Sequence, residues 1–445
     1  MIPPARGAFC AARGRGGGLV PDCGQPHPEG PLQADDIASL ESQDWVERAR
    51  ALAPLLAAAA PRIEQACELP ADVLDAMHRA RLFRMLLPRS LGGGELDLAT
   101  FFQAASAVAE GDASAAWCLV QTSGCALSSG YLAPQAAREV FGEPRAVLAW
   151  GFATGPHCRA VEVEGGWRVS GTWSFGSGSR HATWLGGHCR LVDARGAELQ
   201  RPDGRPLERT MLFPRAAAAI RGDAWHVIGL RGTGSDSYSV ADLHVPASHA
   251  LVVRAGGRDQ EDAPGAGPAE AEPERREPGT LYRFSATHAY ESGFAGVALG
   301  VARTMLGAFV AMAEKKVPVT SREPLREDPA VQARVGESTA RLESARAWLL
   351  QALREAWENC ARAGYVRFED RVRLRLAASW AIRQARAVAE DVYADAGASA
   401  IFEGQPFERR LRDMHAVSQQ VQGSAFHFQN AGRHYLGLAP GLRYL

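Results

Sequence analysis

Long uninterrupted apolar runs, spaced cysteine pairs and an excess of charge of either sign are all missing from this 445-residue chain. Each absence excludes something. With 49 basic and 50 acidic side chains the formal net charge is −1. No global field therefore draws the chain to nucleic acid or to a membrane surface. No apolar run reaches the ~18 residues that a bilayer-spanning helix requires. The eight cysteines, at 10, 23, 67, 118, 125, 158, 189 and 360, are scattered, and no CxxC occurs. That spacing predicts free thiols in a reducing, cytoplasmic compartment, with neither a disulfide framework nor a zinc site. A Walker loop and a strand–GxGxxG–helix fingerprint for a nicotinamide cofactor are also lacking.

What is present divides into five stretches. Residues 1–35 mix Arg6, Arg13 and Arg15 with a glycine run and prolines 21, 26, 28 and 31, a composition that predicts a disordered tail. No apolar h-region follows the arginines, which argues against a secretory signal. Helical spacing begins at Asp44, a capping residue with Glu47 three positions on. An α-helical domain is expected over 36–145, with Pro54 and Pro61 kinking or dividing its first helix. From 146 to 253 short β-rich runs alternate with Gly and Pro punctuation, predicting a middle antiparallel β-domain. Residues 254–280 read as a flexible linker rich in Gly, Pro, Glu and Arg. Four long apolar-striped segments over 281–445 predict a C-terminal four-helix bundle. Small residues at 293, 296 and 300 permit close helix packing there. The class is α+β.

Four motifs punctuate this plan. The first is GTWSFGSGSRHATW over 171–184, in which aromatics alternate with Ser, Gly and His. Gly176 and Gly178 would let backbone approach something flat and large, and Ser174, Ser177 and Ser179 supply hydroxyls. The second is LPRSLGGGELD at 87–97 followed by EGDASAAW at 110–117. The third is GLRGTGS at 229–235, and the fourth is RDMHA at 412–416. In this order the motifs resemble the acyl-CoA dehydrogenase fold superfamily. More narrowly, they resemble its reduced-flavin-dependent, two-component (group D) monooxygenases. The resemblance covers roughly 40–445.

The resemblance implies an acyl-CoA dehydrogenase-like fold and a particular chemistry. Such an oxygenase component takes FMNH2 or FADH2 from a separate flavin reductase and reacts it with O2. It forms a C4a-(hydro)peroxyflavin and oxygenates an aromatic or heteroatom-containing small molecule. By the same resemblance His415 would lie beside flavin C4a and Ser177 would contact N5, with Ser179 the competing serine. Trp150, Phe152, Trp173 and Phe175 would line the flavin pocket. Arg231, in the GLRGTGS loop, is a cofactor candidate, and Arg283 and Arg303 are candidate phosphate contacts. Trp117, Gln121, Ser123 and His181 are candidate substrate contacts. Wide apolar stripes on the helices, as in relatives of this fold, imply a homotetramer.

Two departures matter. Dehydrogenases of this fold use a Glu in an EGT motif after the Arg-Asp pair. Here the nearest triplet is Gln422-Gly423-Ser424, and Gln cannot ionise. Glu403 is the nearest acidic alternative but precedes the pair. An acyl-CoA dehydrogenase-like flavoprotein therefore remains the second reading, and a catalytically silent scaffold the third. Phenol-hydroxylating members carry a His after the Ala-Trp pair, whereas this chain has Gln121 and Ser123 there.

Overall fold

The computed structural model describes residues 44–153, 157–201, 204–222, 225–252 and 275–438, without the side chains of Phe152 and Ala153. The expected tail at 1–35 and the linker up to residue 274 lie outside the described residues.

Helix α1, Trp45–Ala66, starts where Asp44 accepts hydrogen bonds from the Val46 and Glu47 N–H groups. Pro54 and Pro61 lie inside it, so of the expected kink or division the division does not occur. Its buried face of Leu52, Leu56, Ala59, Ala60 and Ile63 supplies packing that outweighs two lost backbone bonds. Then follow α2 (Ala71–Arg79), α3 (Leu98–Gly111), α4 (Ala113–Ala126) and α5 (Pro134–Phe141). Asp97 caps α3 and Asp112 caps α4, each through its side-chain oxygens.

Among the described residues nine strands follow: β1 Leu148–Trp150, β2 Phe152–Ala153, β3 Arg159–Val163, β4 Gly166–Ser174, β5 Trp184–Val192, β6 Glu208–Pro214, β7 Ala219–Arg221, β8 Ser237–Pro246 and β9 Ala250–Val252. They form one sheet in the order β7-β8-β4-β3-β5-β6-β9, with β1 beside β5 and β2 beside β4. The sheet is mixed and not antiparallel throughout, because β5 runs parallel to both β1 and β3. The pairing that positions the site is β4 with β8. It is antiparallel, with Trp173 opposite Tyr238. The end of β4 therefore lies beside the start of β8, and the turn after Ser174 meets the loop before Ser237.

The C-terminal helices are α6 (Ala286–Ala313), α7 (Pro329–Ala363), α8 (Phe368–Ala396), α9 (Glu408–Gln419) and α10 (Phe426–Tyr435). Helix α6 is the hub, packing against α3, α4, α7, α8 and α9. A Cβ at Gly300 would lie 2.3 Å from the Ser106 carbonyl oxygen, so the missing side chain sets how closely α6 meets α3. By length and composition α6 could cross a bilayer, but most of it is buried inside the fold, and it carries Glu291. That carboxylate pairs with Arg375 of α8 at 3.0 Å, both almost wholly buried. Such a pair ties two helices together in one register.

Candidate active site

Strand β4 ends at Ser174, and the next residue departs from L-amino-acid preference. Phe175 has φ +59°, a conformation that costs a bulky residue about 1–3 kcal/mol. Its ring is 60% exposed. Trp225 meets it edge-on at 6.1 Å, and Ile228 nearby in sequence is 66% exposed. A strained, solvent-facing aromatic at a strand end marks a surface built for a partner.

The turn that follows is pinned to the 229–235 loop. The Gly176 N–H donates to the Asp236 carbonyl at 3.0 Å and the Gly178 N–H to the Thr233 carbonyl at 3.3 Å. The flat group against Gly176 is the Tyr238 ring, 2.9 Å from where a Cβ would stand. Ser177 is buried. Its Oγ lies 2.6 Å from Ser235 Oγ and accepts the Trp117 Nε1–H at 3.1 Å. Ser235 Oγ lies 2.7 Å from Thr233 Oγ1, which donates to the Leu230 carbonyl at 2.7 Å. Ser179 is fully buried, and its Oγ has no hydrogen-bond partner.

Leu230 is itself held in the left-handed region, at φ +54°. Its N–H donates to Asp413 Oδ1 at 2.6 Å, joining the RDMHA helix to the GLRGTGS loop. A Cβ at Gly229 would lie 2.1 Å from the Arg412 carbonyl oxygen, so only glycine lets loop and α9 touch. Arg412 adds a bond to the Ile228 carbonyl at 2.7 Å and ion pairs to Glu64 and Glu408. Burial, then the like charge of Asp112, pushes the Asp413 carboxyl up to about 7; the Leu230 N–H opposes this.

His415 is two residues beyond Asp413, about 200° round the helix. Its Nε2 lies 3.9 Å from Glu390 Oε1 of α8. The imidazole tip therefore faces α8, away from the side on which Asp413 meets the loop.

Of the other candidates, Trp117 stacks on Phe294 with centroids 4.0 Å apart. The Gln121 amide donates to the Trp150 carbonyl at 3.2 Å and to Tyr290 Oη at 3.3 Å. Ser123 is buried with an unpartnered Oγ. The Trp150 ring meets His188 at 5.6 Å. His181 packs on Phe83 at 5.7 Å. Burial, then His78 and Arg215, lowers its pKa to about 3, so it carries no proton to give at neutral pH. Trp173 is a correction. It is wholly buried, with its ring against Tyr238 and Phe213 and its Nε1–H on the His188 carbonyl. It builds the sheet core and lines nothing. The Phe152 ring lies outside the described atoms; its backbone pairs with Ser174.

The arginines separate. Arg231 stands in the loop, with a buried, unpartnered Nε. Arg283 reaches Gly364 at the C-terminal end of α7. Arg303 is half-exposed and 3.6 Å from Glu110. Ser235, Thr233, Tyr290 and Phe294 were not singled out from sequence. The hydroxyls of GLRGTGS were the available signal for the first two.

A family model for the C-terminal domain of acyl-CoA dehydrogenases matches residues 292–423. The crystal structure of the HsaA monooxygenase from M. tuberculosis superposes with a TM-score of 0.77 at 25% identity, covering 91% of this chain and all of that one. The chain has an acyl-CoA dehydrogenase-like fold. Its similarity in sequence runs to flavin-dependent monooxygenases. Indole-3-acetate monooxygenase of Pseudomonas putida is 29% identical over 378 residues, 84% of this chain and 89% of the relative. The oxygenase subunit HsaA of Rhodococcus jostii is 28% identical over 379 residues, 83% and 92% of the two chains. XiaF from Streptomyces, solved with FADH2 and glycerol, shares the fold with a TM-score of 0.79 at 23% identity.

Proposed function

We propose that this protein is the oxygenase component of a two-component flavin-dependent monooxygenase. It takes FMNH2 or FADH2 from a separate reductase and uses O2 to oxygenate an aromatic or heteroatom-bearing small molecule. The observation that carries this reading is the turn at 175–178. It sets an exposed, strained Phe175 next to a buried serine whose hydroxyl lies 2.6 Å from Ser235 Oγ.

These residues fit a flavin. Phe175 and Ile228 offer apolar surface, and Ser177 keeps a lone pair for a ring N–H. Ser123 and Ser179 hold buried hydroxyls without protein partners, as a site completed by a ligand does. Bound reduced flavin supplies the electrons that activate O2. Ser177 would hold the N5 hydrogen in place. Phe175 and Trp225 would keep water from the ring edge. His415, whose Nε2 lies 3.9 Å from Glu390 of α8 in the unliganded fold, would stand beside C4a. Arg231 would sit near the cofactor. Trp117, Gln121, Ser123 and the neutral His181 would face substrate.

The dehydrogenase reading is disfavoured by Gln422. It stands where the base is expected, buried and without charge, and Glu403 lies exposed. Domains at 36–145, 146–253 and 281–445, a homotetramer and a cytoplasmic setting complete the proposal.

The test supplies reduced flavin anaerobically, then 18O2 and a panel of indoles, phenols and sulfides. One labelled oxygen atom in product is expected. If the chain retains oxidised flavin and reduces it with an acyl-CoA thioester, the dehydrogenase reading replaces this one.

A further inference from the structure

The hydrogen bonds from Trp117 to Leu230 form a row whose two ends are chemically fixed. An indole N–H only donates, and a carbonyl oxygen only accepts. At the far end Thr233 must give its one proton to the Leu230 carbonyl, 2.7 Å away. Thr233 Oγ1 can then only accept from Ser235 at 2.7 Å. Ser235, its proton so committed, can only accept from Ser177 at 2.6 Å. Ser177 gives its proton to Ser235 and accepts the Trp117 N–H at 3.1 Å. All three hydroxyl residues are buried, so water does not compete for these protons. The Leu230 carbonyl that anchors the row also accepts from Trp225 Nε1 at 3.2 Å. Asp413 holds the same residue through its N–H.

We infer that this one-way row makes Ser177 an obligate acceptor, and that Ser235 and Thr233 thereby set how the site discriminates reduced from oxidised flavin. The inference rests on the flavin reading above. Reduced flavin carries a hydrogen on N5 and can donate to the remaining lone pair of Ser177. Oxidised flavin presents a lone pair at N5, and Ser177 has no proton left to meet it. Two lone pairs then face each other in a buried site, which is unfavourable. Ser235 and Thr233 are positioning residues. They act only by setting which way the Ser177 proton points.

The measurement is equilibrium binding, independent of turnover. Dissociation constants for oxidised and dithionite-reduced FMN and FAD are obtained by fluorescence titration, the reduced forms under anaerobic conditions. In Ser235→Ala the Ser177 proton is released and can turn toward N5. The ratio of oxidised to reduced dissociation constants should fall about tenfold, equivalent to 1.4 kcal/mol. Thr233→Val removes the next link with little change in volume and should lower the ratio in the same direction. Thr233→Ser keeps the hydroxyl and should restore it. A merely structural role would weaken both flavin forms together and leave the ratio unmoved. If both variants fold and keep the wild-type ratio, the inference is overturned while the flavin reading stands. If neither flavin form binds the wild type, the flavin reading falls and this inference falls with it.

Discussion

Asp413 allows acceptor and charge to be separated in one experiment. Its Oδ1 accepts the Leu230 N–H at 2.6 Å, and the carboxyl is buried. Burial, then the charge of Asp112, raises its pKa from an ordinary 3.8 to about 7. Between those values the folded chain keeps a proton that the unfolded chain has released. The contribution of this group to stability is therefore complete below the lower value and is lost as pH rises through the upper one. An interval of that width corresponds to on the order of 4 kcal/mol. Asp413→Asn keeps an oxygen for Leu230 and cannot ionise. Its stability should rise relative to wild type as pH goes from about 4 to about 8. Asp413→Ala also removes the acceptor and strands a buried N–H, a further cost of about 1–3 kcal/mol. It should lie below the Asn variant at every pH. Urea unfolding followed by circular dichroism across that range measures both differences. If the wild-type and Asn curves run parallel, the raised carboxyl is not there and the reasoning fails.

Four further outcomes are expected. Ser177→Ala should leave the fold intact and raise the share of O2 released as hydrogen peroxide about tenfold, the effect of one lost hydrogen bond. His415→Ala should slow O2 consumption by the loaded protein, and an oxygen electrode with a peroxide assay separates the two. Gly300→Ala should destabilise by about 1–3 kcal/mol, because overpacking against the Ser106 carbonyl outweighs the gain in helix propensity. Gly307→Ala on the same helix, with open space around it, should instead stabilise by about 1 kcal/mol; equal shifts in urea midpoint would contradict this packing. Val310 and Trp380 leave apolar surface exposed on α6 and α8, and sedimentation at micromolar concentration should show a tetramer; a clean monomer would remove that proposal.

The helices were legible because periodicity and caps are local: Asp44, Asp97 and Asp112 each announce a start and each accepts backbone N–H groups there. The inferences that failed were ones that needed a neighbour. Pro54 and Pro61 read as a kink or a division because the packing that carries α1 through both comes from other helices. The parallel pairs of β5 with β1 and β3 were missed because parallel partners arrive by crossovers that leave no local mark. Trp173 read as a lining residue because an aromatic beside a functional turn resembles one. Strand alternation offered a guide, since Val169 and Trp173 share a buried face. Phe175 then leaves that alternation by entering the left-handed region, which no pattern of apolar residues foretells. The same holds for the row of hydroxyls. Ser177 and Ser235 belong to motifs that the sequence displays plainly, yet nothing in either motif says that they touch. Their contact is created by β4 lying antiparallel to β8 with Trp173 opposite Tyr238. A motif thus names the chemistry a residue can do, whereas the register of the sheet decides which way its proton points.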